Sequence, residues 1–259
     1  MRMNNLLSGA MRKGALILSL LLAHSSLLMA QDKGVNNIVL VHGAFTDGSS
    51  WSAVISRLKA RGYHVTAVQT PLTSLREDVA ATERVLARQE GNVLLVGHSW
   101  AGAVITQAGN AANVKGLVYL SALVPDNYQS VSKALAQFHA PMNGMAPDKH
   151  GFVWLDDPAL FHRVMANDIS AEQSQLLAAV QQPIAAAAFI EKVETAAWRS
   201  KPAWYLITEN DNALNSSVQA SFAREIGAHI SRIHSGHLSM VSHPEEVAAF
   251  IARAARTTH

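Results

Sequence analysis

Cysteine is missing from all 259 residues, which excludes disulfides, a thiol nucleophile and any cysteine-based metal site. Charge is sparse as well: 15% of residues are Asp, Glu, Lys or Arg against 49% apolar, a balance that suits one well-packed domain with a sizeable core. The first thirty residues hold no acid but do hold Arg2, Arg12 and Lys13. Removing those three from 21 leaves 18 basic residues against 19 acidic ones, so the formal charge of +2 comes from the N-terminus alone. No basic stripe remains to bind phosphates, and a nucleic-acid partner is not expected. Internal repeats and low-complexity linkers are absent too.

Residues 1–30 have the layout of a secretory signal: basic Arg12 and Lys13, the apolar run Ala15 to Ala23, a polar break at His24-Ser25-Ser26, and Leu27 to Ala30 before polar Gln31. The run is short and interrupted for a membrane anchor. The expectation is cleavage after Ala30, export to a bacterial periplasm or beyond, and no stable membrane anchor afterwards. Leu28 is larger than the usual residue at its position.

The most informative stretch is Asn92 to Gly102. Val93-Leu94-Leu95-Val96 reads as a buried strand, Gly97-His98-Ser99 as an abrupt turn, and Ala101, Val104, Ile105 and Ala108 as a helix stripe. A strand that reverses into a helix so quickly strains its apex and tolerates only small residues two positions to either side, here Gly97 and Ala101. Ser99 at that apex would project its hydroxyl beside the first free N–H groups of a helix, as a nucleophile requires.

The rest of the chain alternates in the same rhythm. Strands are expected at Asn37–Val41, His64–Gln69, Gly116–Leu123, Trp204–Thr208 and Ile230–His234, with the elbow strand third of six. Helical stripes run through Trp51, Val54, Ile55 and Leu58, through Leu75, Val79 and Leu86, through Val218, Phe222 and Ile226, and from Pro244 onward. This alternation predicts an α/β fold with a mostly parallel six-stranded sheet and helices on both faces, strands one and three adjacent and strand two outside strand one. The rhythm stops between about residues 127 and 198. Short helices are expected there near Ala171–Gln181 and Ile184–Ala196, forming a helical cap inserted into a single domain spanning 31–259.

In an open parallel sheet, ligands bind beyond the carboxyl ends of the strands, so the loops after strands are where chemistry should sit. Ser99 follows strand three, Asp211 strand five and His237 strand six, the chain order of a Ser-Asp-His hydrolase triad. His237 is preferred to His234, which falls within the strand pattern, and to His243, which precedes Pro244. Asp211 is preferred to Asp126, the serious alternative after strand four. Glu209 should point elsewhere. His234 and His237 lack a third ligand, so no metal site is expected. The oxyanion donors should be the backbone N–H groups of Trp100 and of the loop His42-Gly43-Ala44-Phe45, there Ala44. Phe45, Phe152, Trp154 and Phe161 are candidates for an apolar substrate pocket.

The segments Val41-His42-Gly43-Ala44-Phe45, Gly97-His98-Ser99-Trp100-Ala101-Gly102, Leu120 to Asp126, Thr208-Glu209-Asn210-Asp211 and Gly236-His237 resemble the α/β-hydrolase superfamily. The similarity is to its small capped esterases, which include plant methyl-salicylate esterases, hydroxynitrile lyases and bacterial exported esterases. It implies the α/β-hydrolase fold, Asp211 as the family's acid and Ala44 as the second oxyanion donor. It also implies a cofactor-free hydrolase whose partner is a small-molecule ester. The lyase branch has lysine after the catalytic histidine and threonine in the first loop, where this chain has Leu238 and Gly43. Ester hydrolysis is therefore the expectation. Lactone or thioester hydrolysis, lyase chemistry and a non-catalytic receptor on the same fold are the alternatives.

Overall fold

The computed structural model describes residues 34–140 and 145–258; the expected signal segment lies outside the described residues. Strands β1 (Asn37–Val41), β2 (His64–Val68), β3 (Val93–His98), β4 (Val114–Leu120), β7 (Ala203–Thr208) and β8 (His229–Ile233) form one sheet. Its order is β2-β1-β3-β4-β7-β8 and every pairing is parallel. The centre is apolar and closed to water: all residues of β1, β3 and β7 are buried. The edge strands β2 and β8 are largely half-exposed or exposed. Continuous apolar runs are what a parallel strand covered on both faces needs, whereas an edge strand can afford polar residues. Helices flank the sheet, with Ser52–Ala60 packing on Pro244–Thr257 and Leu75–Leu86 on Ala101–Ala108. Among the described residues no helix is long and apolar enough to cross a membrane.

Register brings the strand ends together. Val41 pairs with Gly97, His98 with Leu120, and Thr208 with Ile233, so the loops after these strands emerge along one rim of the sheet. Strand β4 stops at Leu120 rather than at Leu123, because Ser121 adopts φ 38°. The chain beyond it turns across the elbow, where the Leu123 N–H donates to the Ser99 carbonyl at 3.1 Å.

The segment between β4 and β7 holds the helices Val131–Gln137, Pro158–Met165 and Ala171–Ala179, and a two-stranded antiparallel sheet of β5 (Phe152–Val153) and β6 (Ile184–Ala185). The helix expected over Ile184–Ala196 does not form. The N–H groups of Ala185 and Ala186 donate instead to the Leu72 and Gly151 carbonyls, each at 2.9 Å, and that of Val193 to Gln129 at 3.0 Å. These long-range partners hold the backbone extended or in a short 3₁₀ turn at Ala186–Ile190. Alanine is a good helix former, but intrinsic propensity is a small preference that tertiary hydrogen bonds outweigh.

Candidate active site

Ser99 sits between β3 and the helix Ala101–Ala108 with φ 52°. For a serine this left-handed geometry costs about 1–3 kcal/mol, and surrounding contacts must hold it. The Ser99 N–H donates to Leu120 at 3.1 Å, and its carbonyl accepts from Gly102 at 3.0 Å and from Leu123. A Cβ at Gly97 would lie 2.7 Å from the Ala101 carbonyl oxygen, so only glycine lets strand and helix meet this closely. Phe45 (φ 60°) and Ser121 (φ 38°) are strained likewise, so the loops after three adjacent strands each carry a left-handed residue.

His237 and Asp211 meet in the interior. The His237 Nδ1 and Asp211 Oδ2 atoms are 2.7 Å apart, and the two side chains are 2% and 0% exposed. Asp211 is saturated with donors. Thr208 Oγ1 (2.7 Å) and Gln219 Nε2 (3.0 Å) reach the same oxygen, while the Ala213 and Leu214 N–H groups reach Oδ1 at 2.8 Å each. Burial pushes this carboxyl up, but the facing imidazole and the donors outweigh it and hold the carboxyl below its ordinary range. A carboxylate that stays ionised fixes the tautomer of its partner: Nδ1 carries the proton, and Nε2 is left as the basic nitrogen.

Ser99, His237, Ala44, Trp100 and Phe45 line one cavity of about 320 Å³. Its remaining wall is mainly apolar, with Leu123 from the sheet side and Leu135, Leu155, Met165 and Phe189 from the segment between β4 and β7. Asn212 and Asn215 are polar members, and among the described lining residues none is Asp, Glu, Lys or Arg. In the first loop the Phe45 N–H is taken by the Gln182 carbonyl at 3.1 Å, which leaves Ala44 as the loop's candidate donor. His42 is neutral and structural. Burial lowers its pKa, its Nδ1 donates to Gly43 at 2.9 Å, and its Nε2 accepts from the Thr70 N–H at 3.1 Å.

Three expected pocket residues lie elsewhere. Phe161 is fully buried in the core, Phe152 is half-buried and pairs with Ala185, and Trp154 is 41% exposed with its indole donating to Asp148 at 3.2 Å. The rivals for base and acid also have other roles. His234 lies just past β8, 87% exposed and 2.6 Å from Glu209 Oε2, rather than inside a face. His243 leads into the last helix, accepting from Val247 at 3.1 Å. Asp126 accepts from Arg199 Nε at 2.6 Å in an ion pair away from His237. Among the described residues no three His, Asp or Glu side chains are grouped to hold a metal ion.

Sequence reasoning missed two polar supports. Gln219 is buried on the helix Ser216–Glu225, and a polar residue between apolar Val218 and Phe222 was its only signal. Asp78 is buried as well, accepting from the Trp100 indole at 2.7 Å and from the Leu72 N–H at 2.8 Å, so it ties the residue after Ser99 to the helix Leu75–Leu86. Burial pushes its pKa up to about 6 despite those two hydrogen bonds.

Comparison with known proteins agrees with this architecture. An alpha/beta hydrolase of Aspergillus novofumigatus is 27% identical over 242 residues, covering 84% of this chain and 96% of that protein. A carbendazim hydrolyzing esterase of a Nocardioides species is 32% identical over 157 residues, covering 51% of this chain and 64% of that one. Among solved structures, polyneuridine aldehyde esterase superposes with a TM-score of 0.74 at 21% identity, covering 85% of this chain and 99% of that chain. The profile of the alpha/beta hydrolase family matches residues 38–250. The chain belongs to the alpha/beta hydrolase family.

Proposed function

We propose that the protein is a carboxylesterase-type serine hydrolase that cleaves small to medium-sized, neutral, partly hydrophobic esters through Ser99, His237 and Asp211. The observation that carries this reading is the buried 2.7 Å bond between His237 and an ionised Asp211, opening onto the cavity that Ser99 also lines. His237 Nε2 takes the Ser99 hydroxyl proton as Oγ attacks the ester carbonyl carbon. The oxygen turns negative and is held by the Ala44 and Trp100 N–H groups, each worth about 3 kcal/mol in the transition state. His237 then returns the proton to the leaving alcohol, activates a water against the acyl-enzyme and frees the acid. Three relatives support the reaction class: the Nocardioides esterase, polyneuridine aldehyde esterase and the Aspergillus hydrolase bear hydrolase or esterase names.

A cavity with an apolar wall and no charged side chain among its described lining residues favours neutral substrates. Two observations favour hydrolysis over lyase chemistry. Leu238 is fully buried, so no cation stands beside His237 at that position. A Cβ at Gly43 would lie 2.9 Å from both His98 Nδ1 and Ser99 Cβ, too close for threonine without displacing the elbow.

Treatment with a fluorophosphonate probe, followed by mass spectrometry, tests the proposal. An adduct on Ser99 that disappears in His237→Ala is the expected result. No adduct on the folded wild-type protein would overturn it.

A further inference from the structure

Two neighbouring polar residues, Asn167 and Asp168, have no place in the mechanism above. They lie between the helices Pro158–Met165 and Ala171–Ala179, and Met165, two residues earlier, lines the cavity. Yet both reach back to the loops that carry the acid and the base. Asp168 Oδ2 accepts from the Gly236 N–H at 2.8 Å, from Ser235 Oγ at 2.9 Å and from Ser242 Oγ at 2.8 Å, with His243 Nδ1 at 3.6 Å. Asn167 Nδ2 donates to the Asn210 carbonyl at 2.9 Å. Gly236 directly precedes His237, and Asn210 directly precedes Asp211.

We propose that Asn167 and Asp168 are positioning residues that lock the His237 and Asp211 loops together, so that the wall of the cavity and the proton relay are held as one unit. The inference rests on the hydrolase reading above. A loop N–H bonded to a carboxylate is held more firmly than one bonded to water, because a charged acceptor strengthens the bond. The fit is close: a Cβ at Gly236 would fall 2.2 Å from Asn167 Oδ1 and 2.7 Å from Asp168 Oδ1. The histidine loop is thus pressed against the pair with no room for a side chain. A displacement of its backbone moves His237 Nε2 relative to Ser99, and shifts on the ångström scale are costly to the chemical step rather than to binding.

The test is steady-state kinetics on p-nitrophenyl acetate for the wild type, Asp168→Ala, Asp168→Asn and Ser99→Ala, with circular dichroism to compare folding. In Asp168→Ala, kcat is expected to fall about ten- to a hundredfold with KM within about twofold of wild type. Asp168→Asn, whose amide oxygen still accepts from Gly236, should recover most of that loss. The downfield proton resonance of His237 Nδ1–H, assigned by its absence in His237→Ala, should broaden or shift in Asp168→Ala and return in Asp168→Asn. Wild-type kcat in Asp168→Ala, with Ser99→Ala inactive, would overturn the positioning role and leave the hydrolase reading intact. An active Ser99→Ala would instead remove the hydrolase reading. Should Asp168→Ala fail to fold, Gly236→Ala crowds the same contact, and an unchanged kcat there overturns the inference equally.

Discussion

The two sides of the cavity are built differently. On the sheet side, every group of the proposed triad lies in a loop that follows a parallel strand, and its position follows from register: Val41 against Gly97, His98 against Leu120, Thr208 against Ile233. On the other side, the segment between β4 and β7 uses short helices and a two-residue strand pair whose conformations follow from hydrogen bonds to distant residues such as Leu72 and Gln129. The sheet side is a rigid frame buried on both faces. The other side is a wall fitted to it, and its exposed apolar residues Leu176 and Val180 mark looser packing. Chemistry that depends on sub-ångström geometry belongs on the frame, and substrate shape can be set by the wall.

Substitutions separate the two sides. The largest effect is expected on the frame: Asp211→Asn should lower kcat about 10⁴-fold, because an amide at that position no longer fixes the His237 tautomer. Asp126→Asn, which only loosens a surface pair with Arg199, should stay within about twofold of wild type by the same assay, since exposed ion pairs contribute little. Equal losses in the two variants would mean that the acid has been misassigned.

A smaller effect concerns the joint between frame and helix layer at Asp78. Its folded pKa of about 6 lies above the ordinary value of 3.8, so the folded state holds its proton more tightly than the unfolded chain does. The sign follows: the stability this group contributes is fully present below 3.8 and is lost as pH rises through about 6, by about 3 kcal/mol in all. Urea unfolding between pH 3.5 and 7 should therefore show the wild type losing about 3 kcal/mol relative to Asp78→Asn as the pH rises. A difference between the two proteins that does not change with pH would mean that Asp78 is not the titrating group.

The smallest effect is expected at the apolar lining of the wall. Leu155→Ala should leave kcat for short acyl esters nearly unchanged and shift preference toward longer acyl chains by about tenfold in kcat/KM. A p-nitrophenyl ester series from acetate to octanoate reads this directly. Loss of activity on all chain lengths would show that Leu155 does more than shape the cavity.

Legibility in the sequence follows the same division. Asn37–Val41, Val93–Val96 and Trp204–Thr208 could be read as strands because burial on both faces demands an unbroken apolar run. Ser99 could be singled out because a strand-to-helix reversal limits which residues flank it. Phe161 and Trp154 could not be placed, since an aromatic side chain in the insert carries no periodic signal that says which surface it meets. The same holds for Ile184–Ala185, whose local preference is outweighed by one hydrogen bond to Leu72 and one strand pairing.

The sequence by itself determined the strands of the main sheet, the elbow and the order of Ser99, Asp211 and His237, because these depend on local periodicity and on the sterics of a few neighbouring positions. Only the tertiary structure decided that Asp211 rather than Asp126 faces His237, that Gln219 and Thr208 support that carboxylate, and that Asn167 and Asp168 grip the loops behind it. Those contacts join residues up to 74 positions apart, and no local pattern records a partner whose approach is set by how strands and loops pack in three dimensions.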